Sequence, residues 1–174
     1  MRKLVLTASG IARGEPAQAA VGVVLTDGQG KNLVQLGKTL GRSSKEAAEY
    51  KALLEGLRVA SQYQPEELLV FVENQQLANQ VLGVLPPREP TLQHLNRQVQ
   101  ELLHQFPRWR VAYVDEDVCR QARRLAEQAL YRERQAERER EAVRQEILSA
   151  LDLLPLEDLR KTLSFLQSLQ ATRG

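Results

Sequence analysis

SSKEAAEYKALLEGLRVASQY, residues 43–63, is the stretch that decides the architecture. Ala47, Tyr50, Leu53, Leu54, Leu57 and Ala60 recur at intervals of three and four, the period of a helix with one buried face. Ser44 stands three positions before Ala47, where its hydroxyl can accept a first-turn N–H. The flanks change period. Upstream, RKLVLTAS (2–9) is a short apolar run, and a loop with Gly10, Gly14 and Pro16 leads into the strand AQAAVGVVLTD (17–27). DGQG (27–30) is a turn signal, and KNLVQLGKTL (31–40) alternates as its hairpin partner. An antiparallel meander thus precedes the helix. Downstream come a strand, ELLVFVE (67–73), a short helix, NQQLANQVLGVL (74–85), and a break at PPREP (86–90). A helix over 91–106 carries Leu92, Leu95, Val99, Leu102 and Leu103 on one side. A strand, RWRVAYV (108–114), and a helix from about Val118 follow. The order βββαβααβα predicts an α/β fold, a mixed sheet with helices on its faces.

Composition excludes several classes. The chain has 174 residues, 43% of them hydrophobic, which suffices for one core and a small appendage. Lys and Arg total 24 against 22 Asp and Glu, so no strong basic bias points to a polyanion. The single cysteine, Cys119, permits no internal disulfide and fits a reducing compartment. The opening MRKLVLTASG is too short an apolar run for a signal peptide, and no stretch reaches the ~20 apolar residues of a membrane span. The expectation is a cytoplasmic protein.

The end of the chain has another character. Residues 131–141 alternate Arg and Glu with almost no apolar stripe, the pattern of a solvated helical extension. Residues 142–174 carry Val143, Ile147 and Leu151, then, after Pro155, Leu156, Leu159, Leu163, Leu166 and Leu169. So short a helical hairpin cannot bury that much leucine alone. Three regions result: 1–130, the α/β domain; 131–141, the charged extension; and 142–174, the leucine-rich hairpin. Ile147, Leu151, Leu159, Leu163 and Leu166 are its candidate interaction residues.

Four segments carry a resemblance. They are Ser9-Gly10-Ile11-Ala12-Arg13-Gly14-Glu15-Pro16 before AVGVVL, Ser44-Lys45-Glu46-Ala47-Ala48-Glu49-Tyr50 before KALLEGL, Glu73-Asn74-Gln75-Gln76 before LANQVLG, and Ala122-Arg123-Arg124-Leu125-Ala126. In order and spacing, about three quarters of the chain resembles the ribonuclease H family, type I, in its compact bacterial form. The resemblance implies a ribonuclease H-like fold with the C-terminal helical hairpin added. It also implies four carboxylates holding two magnesium ions at the positions of Ser9, Glu49, Glu73 and Arg123.

Of those four, only Glu49 keeps the family's residue. Glu73 is one methylene longer than the family's aspartate, Ser9 is a weak neutral ligand, and Arg123 is a fixed cation that binds no metal. At ~4 Å and an effective dielectric near ~20, each unit charge repels another by ~4 kcal/mol. Arg123 is therefore expected to replace the metals and to pair with Glu49 or Glu73. Grip is eroded too. The family's paired asparagines become Lys45 and Glu46, and its basic segment between the middle helices shrinks to VLPPREP, with Arg88 alone. Arg13, Arg42 and Lys45 remain as candidate nucleic-acid contacts.

Other residues admit plainer readings. Glu49 is as well explained by a role at the helix start as by one in a site. Asp115, Glu116 and Asp117 suit a helix N-terminus better than a substitute metal cluster. Cys119 lacks a base, His94 and His104 are not spaced as a metal pair, and Trp109 suits a core better than a base-stacking platform.

The sequence thus predicts a ribonuclease H-like protein that is no longer an enzyme and needs neither metal nor cofactor. It would act by binding, through self-association or a protein partner at the C-terminal helices, with RNA or RNA–DNA hybrid as a weaker ligand. The alternative is an active ribonuclease H, magnesium-dependent, with an atypical site. Steep salt dependence of RNA binding would mark a nucleic-acid role. Dimerisation lost on deleting residues 142–174 would mark the hairpin.

Overall fold

A computed structural model describes residues 2–174. Strands β1 (Lys3–Arg13), β2 (Gln18–Asp27) and β3 (Asn32–Arg42) precede helix α1 (Lys45–Ser61) and β4 (Glu67–Val72). Helices α2 (Gln75–Val81) and α3 (Pro90–Leu103), β5 (Arg108–Tyr113), α4 (Arg120–Leu151) and α5 (Leu156–Ala171) complete the order. The five strands form one sheet, β3-β2-β1-β4-β5. β1 pairs β2, and β2 pairs β3, antiparallel, while β1–β4 and β4–β5 are parallel. The chain is an α/β protein with a mixed sheet.

The loop expected around Gly10 is strand instead. β1 continues to Arg13, and the turn with Gly14 comes after it. Gly10 owes its place to packing: a Cβ there would lie 2.3 Å from the Ala48 backbone carbon and 2.4 Å from the Glu49 nitrogen of α1.

Alternation along the strands separates two faces. Leu4, Leu6, Val23, Leu25, Leu68, Val70 and Val72 turn to one side and pack with Tyr50, Leu53, Leu54 and Leu57 of α1 and Leu95, Val99 and Leu103 of α3. Each such leucine contributes ~1.5–3 kcal/mol of apolar burial. On the other face Ile11 and Ala20 meet Ala126 and Leu130 of α4. Gly22 and Gly37 let α4 approach the sheet, since a Cβ on either would fall 1.6 Å from the Ala122 carbonyl oxygen or 2.4 Å from that of Leu125.

Ser44 caps α1 as expected, its hydroxyl accepting the Ala47 N–H at 3.1 Å. Contacts divide the chain into two compact units, Met1–Glu133 and Arg134–Gly174. Among the described residues no helix is long and apolar enough to cross a membrane.

Candidate functional site

The site follows from strand register. β1 and β4 run parallel, with Ala8 opposite Val72, so Ser9 and Glu73 emerge together at the end of the pair. The buried Ser9 hydroxyl donates to Glu73 Oε1 at 2.8 Å. Arg123 lies in the first turn of α4 and donates from Nη2 to Glu73 Oε2 at 2.7 Å. Its Nη1 reaches Glu116 Oε2 at 3.3 Å. Both oxygens of Glu73 are thereby engaged. A cation at a helix N-terminus is disfavoured by the helix dipole, and the two carboxylates offset that. Their hydrogen bonds push the Arg123 guanidinium further above its already high range. The alternative between Glu49 and Glu73 as its partner resolves to Glu73.

Glu49 enters from α1, brought down on Gly10 by the close approach described above. It is 6% exposed. Asn74 donates its side-chain N–H to Glu49 Oε2 at 2.6 Å, and Lys45 Nζ stands 4.0 Å from Oε1. Burial raises the Glu49 pKa, opposed by the Asn74 hydrogen bond and the Lys45 charge. Asn74 also caps α2, its Oδ1 accepting from Gln76 and Leu77. Sequence reasoning passed over this double role, although asparagine directly before a helix is a strong capping signal.

Lys45, Glu49, Glu73, Asn74, Tyr113, Glu116 and Arg123 line a cleft of about 290 Å³. It opens at the carboxyl ends of the parallel strands, where α/β sheets commonly place ligands. The recess beneath, where Ser9, Glu49 and Glu73 meet, offers about 10 Å³, room for about one water.

These donors do not fit a pair of magnesium ions. Magnesium takes six oxygens in strict octahedral geometry. Here a serine hydroxyl and an arginine each hold one oxygen of Glu73, and the fixed charge of Arg123 stands against any cation placed there. Among the described residues no three His, Cys, Asp or Glu side chains gather to hold a metal. Asp115, Glu116 and Asp117 form no substitute cluster: Glu116 pairs with Arg123, Asp117 with Arg120, and their carbonyls accept the N–H groups of the turn into α4.

The remaining candidates are dispersed. Arg13 and Arg42 both face Gln18 in the sheet register, at one end of β1 and β3, and Arg13 lies 3.5 Å from Glu127. Lys45 lines the cleft itself. Cys119 is buried, and burial together with the Glu73 charge pushes its thiol up to about 12, so it is no nucleophile. His94 and His104 are exposed, and half-buried Trp109 packs against the main core.

A family described as Reverse transcriptase-like matches residues 8–129. A Ribonuclease HI of Halobacterium salinarum is 32% identical over 70% of this chain, which spans 61% of that relative's length. A Bifunctional protein of Mycobacterium tuberculosis is 32% identical over 74% of this chain, which spans 35% of its length. The solved N-terminal RNase H domain of that protein superposes with a TM-score of 0.74 at 29% identity, covering 79% of this chain and 99% of that one. A compost-derived RNase H1, solved in complex with RNA/DNA hybrid, gives a TM-score of 0.69 at 25% identity, covering 74% of this chain and 97% of that one.

These relatives correct one expectation. The substitutions at Ser9 and Arg123 led to a protein that is not an enzyme. The ribonucleases that the chain resembles are enzymes, and they point to a hydrolase. An altered set of side chains changes the terms of the chemistry without by itself removing it. By the match over residues 8–129 and the ribonucleases that share its sheet, the chain belongs to the ribonuclease H-like family.

Proposed function

We propose that the chain is a ribonuclease H-type hydrolase that acts on RNA–DNA hybrid, in the cytoplasm, through an atypical site. The observation that carries this reading is the cleft at the strand ends. It keeps two carboxylates, Glu49 and Glu73, in a chain 32% identical to a Ribonuclease HI. The hybrid is supported as substrate by the RNase H1 solved with one bound. Hydrolysis joins a water oxygen to phosphorus, breaks one P–O bond and returns a proton to the leaving oxygen. Glu49, with its pKa lifted by burial, is suited to take the water's proton. Arg123, lining the same cleft, supplies a cation beside the phosphoryl oxygens as their charge grows. Arg13, Arg42 and Lys45 are the proposed contacts to the nucleic-acid backbone.

Cleavage of a labelled hybrid, with magnesium and then with manganese, tests this. The native chain should cut, and Glu49→Gln should lower the rate by ~10²–10⁴-fold, the worth of a positioned acid–base group. No cutting in either metal would overturn the reading. Cutting by the variant at the native rate would remove Glu49 from it.

The C-terminal hairpin has its own observation. Ile147, Leu163 and Leu166 are 49%, 56% and 43% exposed, and Leu153, Leu156, Phe165 and Leu169 are exposed beside them. Leu151 and Leu159 are half-buried. Burying that surface would remove apolar area on the order of 500 Å² per copy, and two copies together approach the ~1,000 Å² of a specific interface. Residues 142–174 carry four basic and four acidic side chains, so like-charge repulsion does not oppose self-pairing. We propose that two copies of the hairpin associate.

A further inference from the structure

We propose that in the free protein Arg123 takes the electrostatic place of divalent ions, so that the cleft offsets most of its carboxylate charge within the chain and binds no divalent cation. This deepens the reading of the cleft as the working site and rests on it.

Three observations carry it. First, the ligand atoms are already committed. Glu73 Oε1 accepts from the Ser9 hydroxyl at 2.8 Å and Oε2 from Arg123 at 2.7 Å, while Glu49 Oε2 accepts from Asn74 at 2.6 Å. A metal would have to displace three hydrogen bonds, one of them charge-assisted. Second, the charges are mostly offset: three carboxylates face two cations, a net of −1. Glu73 and Glu116 stand against Arg123, and Lys45 stands 4.0 Å from Glu49. A divalent ion between the two carboxylates would lie beside a guanidinium that cannot release its proton. Third, the recess where Ser9, Glu49 and Glu73 converge has about 10 Å³ of space, so no hydrated ion seats between them, and an ion in the wider cleft above would meet Lys45 and Arg123. Ser9 and Arg123 act together: each holds one oxygen of Glu73, and the guanidinium supplies the charge.

Manganese is the probe, followed by the loss of its free-ion paramagnetic signal as the full-length chain is titrated without nucleic acid. The native chain should show no saturable binding up to millimolar manganese. Ser9→Asp combined with Arg123→Asp, which restores two carboxylates and removes the cation, should bind at least about tenfold more tightly. Arg123→Asp alone should fall between them and serves if the double variant does not fold by circular dichroism. Saturable native binding that Glu49→Gln abolishes would overturn the proposal. So would aspartate variants that fold and bind no better than the native chain. Native binding that survives Glu49→Gln but is lost in Glu73→Gln would overturn the proposal as well. Hybrid cleavage is scored separately: a chain that neither cuts nor binds manganese refutes the hydrolase reading and supports this one, whereas a chain that cuts and binds manganese through Glu49 does the reverse.

Discussion

Glu49 is the fifth residue of α1, and its carboxylate is nine-tenths removed from solvent. Its pKa is raised chiefly by burial, so folding favours its protonated form. The linkage has a definite sign. Stability from the protonated group is fully present below the ordinary carboxylate value of 4.5 and is lost as pH rises through the higher folded value. Glu49→Gln removes that loss. Thermal unfolding of both proteins across pH should show the variant gaining on the native chain above about pH 4.5, with a constant difference below it. A variant that loses stability relative to the native chain as pH rises would contradict the account. The sequence disclosed the cation at position 123 and its need for an acid, because a guanidinium has one charge state. It could not choose between Glu49 and Glu73, because that choice depends on where the first turn of α4 lies against the end of β4, which spacing along the chain does not specify. Asn74 escaped for a related reason: its amide serves one helix as cap and another as ligand.

The meander, α1 and the later helices were legible from period alone, since each has one buried face and its apolar spacing differs between strand and helix. The end of β1 was not, because Gly10 resembles a loop residue until α1 is seen lying against it. The same holds for Gly22 and Gly37, where α4 crosses the sheet. Two glycine substitutions separate packing from backbone conformation. Gly22→Ala places a Cβ 1.6 Å from the Ala122 carbonyl oxygen, which backbone cannot yield without moving α4. It should cost ~2–4 kcal/mol in denaturant unfolding. Gly30→Ala meets nothing within 4 Å and only strains a φ of +86°, and should cost ~1 kcal/mol. Equal costs would mean that α4 does not seat as described. Displacing α4 also moves Arg123 from Glu73, so Gly22→Ala should alter the cleft without replacing any side chain that lines it.

At the scale of the molecule, the chain combines a family domain with a hairpin that those relatives do not explain. The match ends at residue 129, and the exposed leucines of the hairpin lie beyond it. Light scattering on the full chain should give a dimer, and Leu163→Ser with Leu166→Ser should give a monomer whose α/β unit keeps its unfolding transition. A native monomer at micromolar concentration would remove self-association. The family was legible in the sequence because its segments recur in order. The expectation of a protein that is not an enzyme came from weighing four positions by themselves, and it is the ribonucleases the chain resembles that overturn it. The most direct test of the central claim is the cleavage of a labelled RNA–DNA hybrid by the native chain and by Glu49→Gln, side by side. The account predicts product from the first and a rate lower by ~10²-fold or more from the second. Intact hybrid with the native chain, in magnesium and in manganese alike, would contradict it.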